Sequence, residues 1–269
     1  MTMEQRDTFL DFALTLAQAA EEEIMPHYQD CVASRKADGS DVTIADLSAE
    51  QVIRQMIEQR FPEHAVLGEE FGAFGNLQQR YQWILDPLDG TTWFTLGVPI
   101  FGILIALLED NEPVLGVIHL PAMGETVYAA RGFGCWFKTA HSAPTRVHVS
   151  SGVPLKDAIV SAAGVHGSDI YLGDGNTPYN LTALIRQARK FRFCGDCLQH
   201  ALVCRGRIHA AVDTIMKPWD SAAIITCIEE AGGIATTIAG ERNDVIHGGN
   251  LVTACSESLH REIVKLLQV

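Results

Sequence analysis

Apolar residues recur every three or four positions at the start of the chain. Phe9, Phe12, Ala13, Leu16, Ala20 and Ile24 predict one long amphipathic helix over 4–24, ended near Pro26. A second stripe, Ile44, Leu47, Ile53, Met56 and Ile57, predicts a helix over 43–60. Between them, 35–41 is polar and contains glycine, and is expected to be a loop. From residue 65 the period changes. Ala65-Val66-Leu67 and Trp83-Ile84-Leu85 are short continuous apolar runs with the composition of strands covered on both faces. Runs of β-type residues follow at 100–108, 114–119, 125–130 and 135–138, and the short turns between them predict an antiparallel meander. Beyond residue 154 the chain alternates. Strands are expected near 159–163, 191–193, 208–212, 234–238 and 251–254, and helices near 179–190, 198–205, 221–231 and from 256, with a Gly/Asp loop reaching Pro178. The fold class is thus α+β in the first half and α/β in the second. The polar, proline-containing stretch 141–154 is the expected boundary, dividing the chain into 1–145 and 146–269. No internal repeat is visible.

Length and charge narrow the class of protein. A chain of 269 residues can bury roughly three quarters of its unfolded surface. The longest apolar run, 100–108, is far short of the roughly 20 residues that cross a bilayer. Glu4, Asp7 and Asp11 make the N-terminus unlike a signal peptide, so the expectation is a cytoplasmic protein without membrane contact. A net charge of −13 opposes nucleic-acid binding, which needs Lys and Arg against the phosphates. Seven scattered cysteines read as reduced thiols. Cys194-Gly195-Asp196-Cys197 has the spacing of a redox or zinc pair but lacks a second pair or a histidine at ligand spacing.

Chemistry concentrates where the run at 83–85 ends in Asp86-Pro87-Leu88-Asp89-Gly90-Thr91-Thr92. Pro87 lacks an N–H and is expected to stop the ladder, leaving Asp86 and Asp89 in a turn. Two carboxylates crowded together suit a hard cation, and the N–H groups after Gly90, where a helix could begin, suit a phosphate. Read alone, the same residues equally make a surface Asx turn. Other acids flank apolar segments. Glu69-Glu70 follows the run at 65–67, Trp219-Asp220 precedes an apolar helix, and Asp46 opens the second helix. Asp46 can close a capping box with Thr43, and Asp220 can be an N-cap; neither role excludes a second one.

Together, Glu69-Glu70, Asp86-Pro87-Leu88-Asp89-Gly90-Thr91, Trp219-Asp220 and Gly232-Gly233 resemble the signature of the inositol monophosphatase family, in the same order and covering nearly the whole chain. The resemblance implies a layered sugar-phosphatase fold, an αβαβα sandwich, and a magnesium-dependent phosphatase of small phosphomonoesters. It implies Glu69, Asp86 and the Leu88 carbonyl at one Mg²⁺, Asp86, Asp89 and Asp220 at a second, and a weaker third ion on Glu69. It further implies that Thr91, placed by Asp46, and Glu69 orient the attacking water, with Glu70 behind them. Gly90, Thr91 and Thr92 would hold phosphate oxygens through their N–H groups. A homodimer is implied as well.

Gly97-Val98-Pro99, Leu120-Pro121-Ala122, Gly195-Asp196-Cys197 and Met216-Lys217-Pro218-Trp219-Asp220 resemble the histidinol-phosphate phosphatase branch most. Asp196 and Asp213 would pair with a cationic substrate, and Asp220 with a substrate hydroxyl. That branch often has aromatic residues after its Gly-Asp, where this chain has Leu198-Gln199-His200. An acid at Asp213 also suits sugar hydroxyls, so an inositol or other sugar phosphate is the alternative substrate. A metal- or phosphate-binding protein without turnover is the alternative of another class.

Overall fold

The computed structural model describes residues 1–37, 39–170 and 179–268; Asp38, 171–178 in the expected Gly/Asp loop, and Val269 lie outside the described residues. Helix α1 (Met3–Ile24) opens with a capping box in which Thr2 and Gln5 satisfy each other's N–H groups. The stretch expected to be a loop closes instead into a hairpin, β1 (Ser34–Arg35) and β2 (Asp41–Val42). Gly39, at φ +90°, supplies the left-handed turn, and Lys36 donates its N–H to the Ser40 carbonyl.

Helix α2 (Ile44–Arg60) starts at the Thr43–Asp46 capping box. Its buried stripe differs from the expected one: Ile44 is exposed, whereas Asp46 and Glu50 are buried. Hydropathy misplaced the face because both acids make hydrogen bonds inside the protein. Then come β3 (Ala65–Gly68), the short β4 (Gly72–Phe74), which the sequence pattern did not predict, and β5 (Tyr81–Asp89).

Strand β5 corrects the reading of Pro87 as a terminator. Asp86 pairs with Leu104 and Asp89 with Gly102, so three steps on one strand oppose two on the other. Pro87 sits in this β-bulge, where no ladder N–H is required, and the strand continues to Asp89. The two acids therefore lie at the end of a strand.

A single turn, α3 (Thr91–Thr95), leads to the meander β6 (Gly102–Glu109), β7 (Glu112–Leu120), β8 (Glu125–Ala130), β9 (Gly134–Thr139) and β10 (Thr145–Val147). These strands and β3 to β5 form one sheet in the order β10-β9-β8-β7-β6-β5-β3-β4. Within this sheet, among the described residues, β3 and β5 pair in parallel and the other neighbours antiparallel. The second sheet comprises β11 (Ile159–Ala162), β12 (Lys190–Arg192), β13 (Ala210–Asp213), β14 (Ile234–Thr236) and β15 (Leu251–Ala254), ordered β12-β11-β13-β15-β14. Helices α4 (Leu181–Gln187), α5 (Asp196–Cys204), α6 (Pro218–Glu230) and α7 (Glu257–Leu267) complete the described elements.

Side-chain alternation sorts these elements into five layers. Trp83 and Leu85 of β5 and Ile103 and Ile105 of β6 pack on α1 and α2. Ile84, Leu104 and Ala106 face the other way, onto α5 and α6. The far side of α5 and α6 meets Ala211, Ala235 and Leu251 of the second sheet. That sheet's outer face, with Val160, Val212 and Val252, is covered by α4 and α7. The result is the αβαβα sandwich. Among the described residues no helix is long and apolar enough to cross a membrane.

The contact of α6 with the first sheet is unusually close. A Cβ on Gly116 of β7 would lie 2.2 Å from the Ala223 carbonyl oxygen, and the Cys227 thiol donates to the Gly116 carbonyl at 3.4 Å. Gly116→Ala should force the helix off the sheet and destabilise the fold by about 1–3 kcal/mol. The denaturant midpoint should fall accordingly. An unchanged midpoint would mean that α6 rides freely over β7.

Candidate active site

The bulge in β5, the turn after β3 and the first turns of α5 and α6 converge on one cleft of about 720 Å³. Its walls carry Glu69, Asp86, Leu88, Asp89, Gly90, Thr91, Thr92, Asp196 and Asp220. Asp86, Asp89 and Asp220 each offer a carboxylate oxygen, all within 4.8 Å of one another. Asp86 is 2% exposed, and its Oδ1 accepts the Leu88 N–H at 3.0 Å, a bond the bulge makes available. Burial, then the charges of Glu69, Asp89 and Asp220, push its carboxyl well above the usual range. Asp89 is raised likewise by burial and by Asp196 and Asp220, although the Cys197 N–H donates to its Oδ2 at 2.6 Å.

Asp220 is not an N-cap. Lys217 holds that position, and Asp220, the third residue of α6, accepts the Lys217 N–H at 2.7 Å through Oδ2. Its carboxyl is pushed up to about 7, by burial first and then by the charges of Glu69 and Asp213. Four elements thus bring acids together that repel one another. A divalent cation relieves that repulsion, and an all-oxygen donor set without His or Cys fits a hard one.

Asp46 serves two purposes. Oδ2 accepts the Thr43 N–H at 2.8 Å and its hydroxyl at 2.6 Å, closing the cap of α2. Oδ1 lies 3.0 Å from the Thr91 hydroxyl, which is also 3.1 Å from the Leu88 carbonyl. Both neighbours are acceptors, so the Thr91 proton stays on their side and its lone pairs are left to accept from something in the cleft. Gly90, at φ +87°, makes the corner before α3; a Cβ there would lie 2.8 Å from the Ile100 carbonyl and 3.1 Å from Asp196 Oδ2. The first bond of α3 runs from the Phe94 N–H to the Gly90 carbonyl, so the preceding amides have no acceptor within the helix.

The two predicted substrate residues differ in setting. Asp196 lines the cleft beside Trp93 and Phe193, and its Oδ2 is buried without a hydrogen-bond partner. Burial and the charge of Asp213 push its carboxyl up to about 7, against a hydrogen bond from Trp93. Asp213 is 4% exposed, and its Oδ2 is occupied by Gln199 Nε2 at 2.7 Å and His200 Nε2 at 2.5 Å. Gln199 and His200 thus make a buried polar network with Asp213, to which Thr253 adds a bond to His200 Nδ1.

One neighbour of the site had no role assigned from the sequence. Lys36, in the turn of the β1–β2 hairpin, places Nζ 2.9 Å from Glu69 Oε1 and 2.7 Å from Glu70 Oε1. Burial, which would lower its pKa, is outweighed by those two carboxylates, and the ammonium is held charged. Glu70, though paired, is raised to about 7 by burial. A cation in a polar loop of an acidic chain was the available signal. Cys194 and Cys197 are free thiols, as are the other five cysteines.

The inositol monophosphatase family model matches residues 5–269. The chain is 38% identical over 247 residues to a histidinol-phosphatase of Chlorobaculum parvum, covering 91% of each chain. It is 35% identical over 266 residues to a histidinol-phosphatase of Mycobacterium tuberculosis, covering 96% of this chain and 97% of the other. Among solved structures it is similar to Thermotoga maritima IMPase, with a TM-score of 0.82 and 29% identity over 96% of both chains. A match of that extent, on a chain whose strand end and helix start bring Asp86, Asp89 and Asp220 together, makes this protein a phosphatase of the inositol monophosphatase family.

Proposed function

We propose that this protein is a magnesium-dependent phosphomonoesterase whose preferred substrate is L-histidinol phosphate. The hydrolytic part of the reading rests on the convergence of Asp86, Asp89 and Asp220 beside the Asp46–Thr91 pair. Glu69, Asp86 and the Leu88 carbonyl would hold one ion, Asp86, Asp89 and Asp220 a second, and Glu69 a weaker third. When bound, such ions neutralise the phosphate, lower the pKa of water and stabilise the leaving alkoxide. Thr91, its proton directed to Asp46 or Leu88, accepts a hydrogen bond from the attacking water and fixes its approach. Glu69 would orient the same water. The amides from Gly90 to Thr92 face the phosphate oxygens.

The substrate part rests on Asp196, which lines the cleft together with Trp93 and Phe193 and has one buried oxygen without a hydrogen-bond partner. Histidinol carries an ammonium and an imidazole. A carboxylate in a cleft that also carries two aromatic rings stabilises such a cation by charge pairing and by cation–π contact, and a polyol gains less there. Asp213 adds negative potential from behind. Similarity to the two histidinol-phosphatases supports this reading, and similarity to Thermotoga maritima IMPase supports inositol phosphate as the second.

The test is phosphate release with Mg²⁺ from L-histidinol phosphate, myo-inositol 1-phosphate and a nucleoside monophosphate, each repeated with a chelator. The expected result is preference for histidinol phosphate, lost on chelation. Asp196→Asn should lower kcat/KM for histidinol phosphate about 10- to 100-fold, the value of one charge-assisted hydrogen bond, and change inositol phosphate hydrolysis much less. Equal losses on both substrates would remove Asp196 from specificity. Preference for inositol phosphate would replace the substrate and keep the chemistry.

A further inference from the structure

Helix α2 carries a second acid one turn beyond Asp46. Glu50 has no exposed surface, yet it lies on the buried stripe with Asp46, Ile53 and Ile57. A charge so placed must be fully paired, and it is. Its Oε2 accepts the Glu70 N–H at 2.7 Å, and its Oε1 accepts the Phe71 N–H at 3.2 Å and Arg54 Nε at 2.7 Å. Arg54, a further turn along, also donates to the Gly72 carbonyl, and its guanidinium lies 5.9 Å from the Phe71 ring centre. On the strand side, Gly68 leaves the room for this contact. A Cβ there would stand 2.1 Å from Glu50 Oε1 and 2.8 Å from Oε2.

We infer that Glu50 is a positioning residue for the metal-binding end of the cleft. Its carboxylate clamps the turn 68–72, from which Glu69 projects, just as Asp46 holds Thr91 from the same face of the same helix. Two acids at i and i+4 therefore set the two halves of the site against one rigid body. The amides of Glu70 and Phe71 are the atoms held, so the clamp fixes where the Glu69 side chain originates without itself occupying the Glu69 carboxylate. Arg54 neutralises the buried charge and adds a third anchor at Gly72. The hairpin lysine meets the carboxylates of Glu69 and Glu70, not the amides that Glu50 holds. The inference rests on the proposed metal-dependent reading, because its consequence is expressed at the first ion.

The experiment measures Mn²⁺ binding by calorimetry without substrate, together with amide hydrogen exchange over 66–75 and thermal unfolding, for wild type, Glu50→Gln, Arg54→Met and Gly68→Ala. In Glu50→Gln an amide NH₂ or a weaker neutral acceptor meets the two N–H groups, and in Gly68→Ala the new methyl displaces the carboxylate. Both should weaken Mn²⁺ binding about 10- to 100-fold, the size expected when a group that orients a ligand is lost. Exchange of the Glu70 and Phe71 amides should accelerate in both. At saturating metal, KM for the substrate should stay within about threefold, since no substrate contact is lost. Should Glu50→Gln fail to fold, Gly68→Ala and Arg54→Met carry the same test from outside the carboxylate. Variants with a lowered melting temperature but wild-type Mn²⁺ affinity would overturn the inference and reduce Glu50 to a stabilising residue. Wild-type protein that bound no Mn²⁺ would overturn the metal-dependent reading first.

Discussion

Asp86→Asn is expected to abolish phosphate release, with a fall in kcat on the order of 10³ or more. The size follows from position. Asp86 is the one acid whose carboxyl meets the charges of Glu69, Asp89 and Asp220 together, so it is the bridge in the proposed two-ion arrangement. Losing it leaves both ions short of a ligand, and several kcal/mol of charge stabilisation at about 1.36 kcal/mol per tenfold in rate gives that magnitude. Asparagine has nearly the same shape and its carbonyl still accepts the Leu88 N–H, so the bulge should survive. Without metal the variant should be at least as stable as the parent, because a buried charge that three others repel has been removed. Single-turnover phosphate release and denaturant unfolding in a chelator read the two effects separately. Turnover near the parental rate would refute the bridging assignment.

The second large effect concerns pH and metal together. Asp86 and Asp89 lie well above their usual range, and Glu70, Asp196 and Asp220 are raised to about 7. An acid whose folded pKa exceeds its unfolded value binds more protons when folded, so stability falls as pH rises between the two. Metal-free protein should therefore lose stability from about pH 4 to pH 7 and beyond. His64, lowered to about 4 by burial, contributes the opposite slope between about 4 and 6.5, since its unfolded form binds the extra proton. His209 and His260, also lowered by burial, act in the same sense, and the eight acids raised among the described residues, Glu69, Asp46 and Glu229 included, outnumber these three histidines.

Divalent cation should reverse the trend, because binding requires the deprotonated carboxylates. At a fixed Mg²⁺ concentration the gain in melting temperature should be small near pH 5 and large near pH 8. It corresponds to about 2.7 kcal/mol wherever the ion is in hundredfold excess over its Kd. Differential scanning calorimetry with and without Mg²⁺ at those two pH values checks this. A metal-induced shift independent of pH would mean that the acids of the cleft are not the ligands.

Much of this architecture is legible in one dimension because the signals are local. The 3.6-residue stripe of α1, the meander from β6 to β9 and the alternation beyond residue 154 each arise from residues within a few turns or one hairpin of one another. The acids of the cleft are legible for a different reason. Each occupies the end of an apolar run, where a strand or helix stops and a side chain is left facing a gap. Lys36, Glu50 and Arg54 were not legible in the same way. Their partners are in the turn 68–72, 18 to 34 positions away along the chain, and a hydropathy pattern treats a paired charge and a solvated one alike. Pro87 misled for a related reason, since the consequence of a missing N–H depends on whether the partner strand has an acceptor opposite it.

The sequence by itself therefore determined the kinds of elements, their order and the acids from which a cation site is built. The tertiary structure decided the rest: that Asp86 and Asp89 end a bulged strand, that Asp220 joins them from the first turn of α6, and that Asp196 lines the cleft while Asp213 is engaged by Gln199 and His200. The division follows from range. Propensity and periodicity are properties of neighbours along the chain, whereas the burial of a charge, and whether that charge is paired, are decided only when distant segments pack.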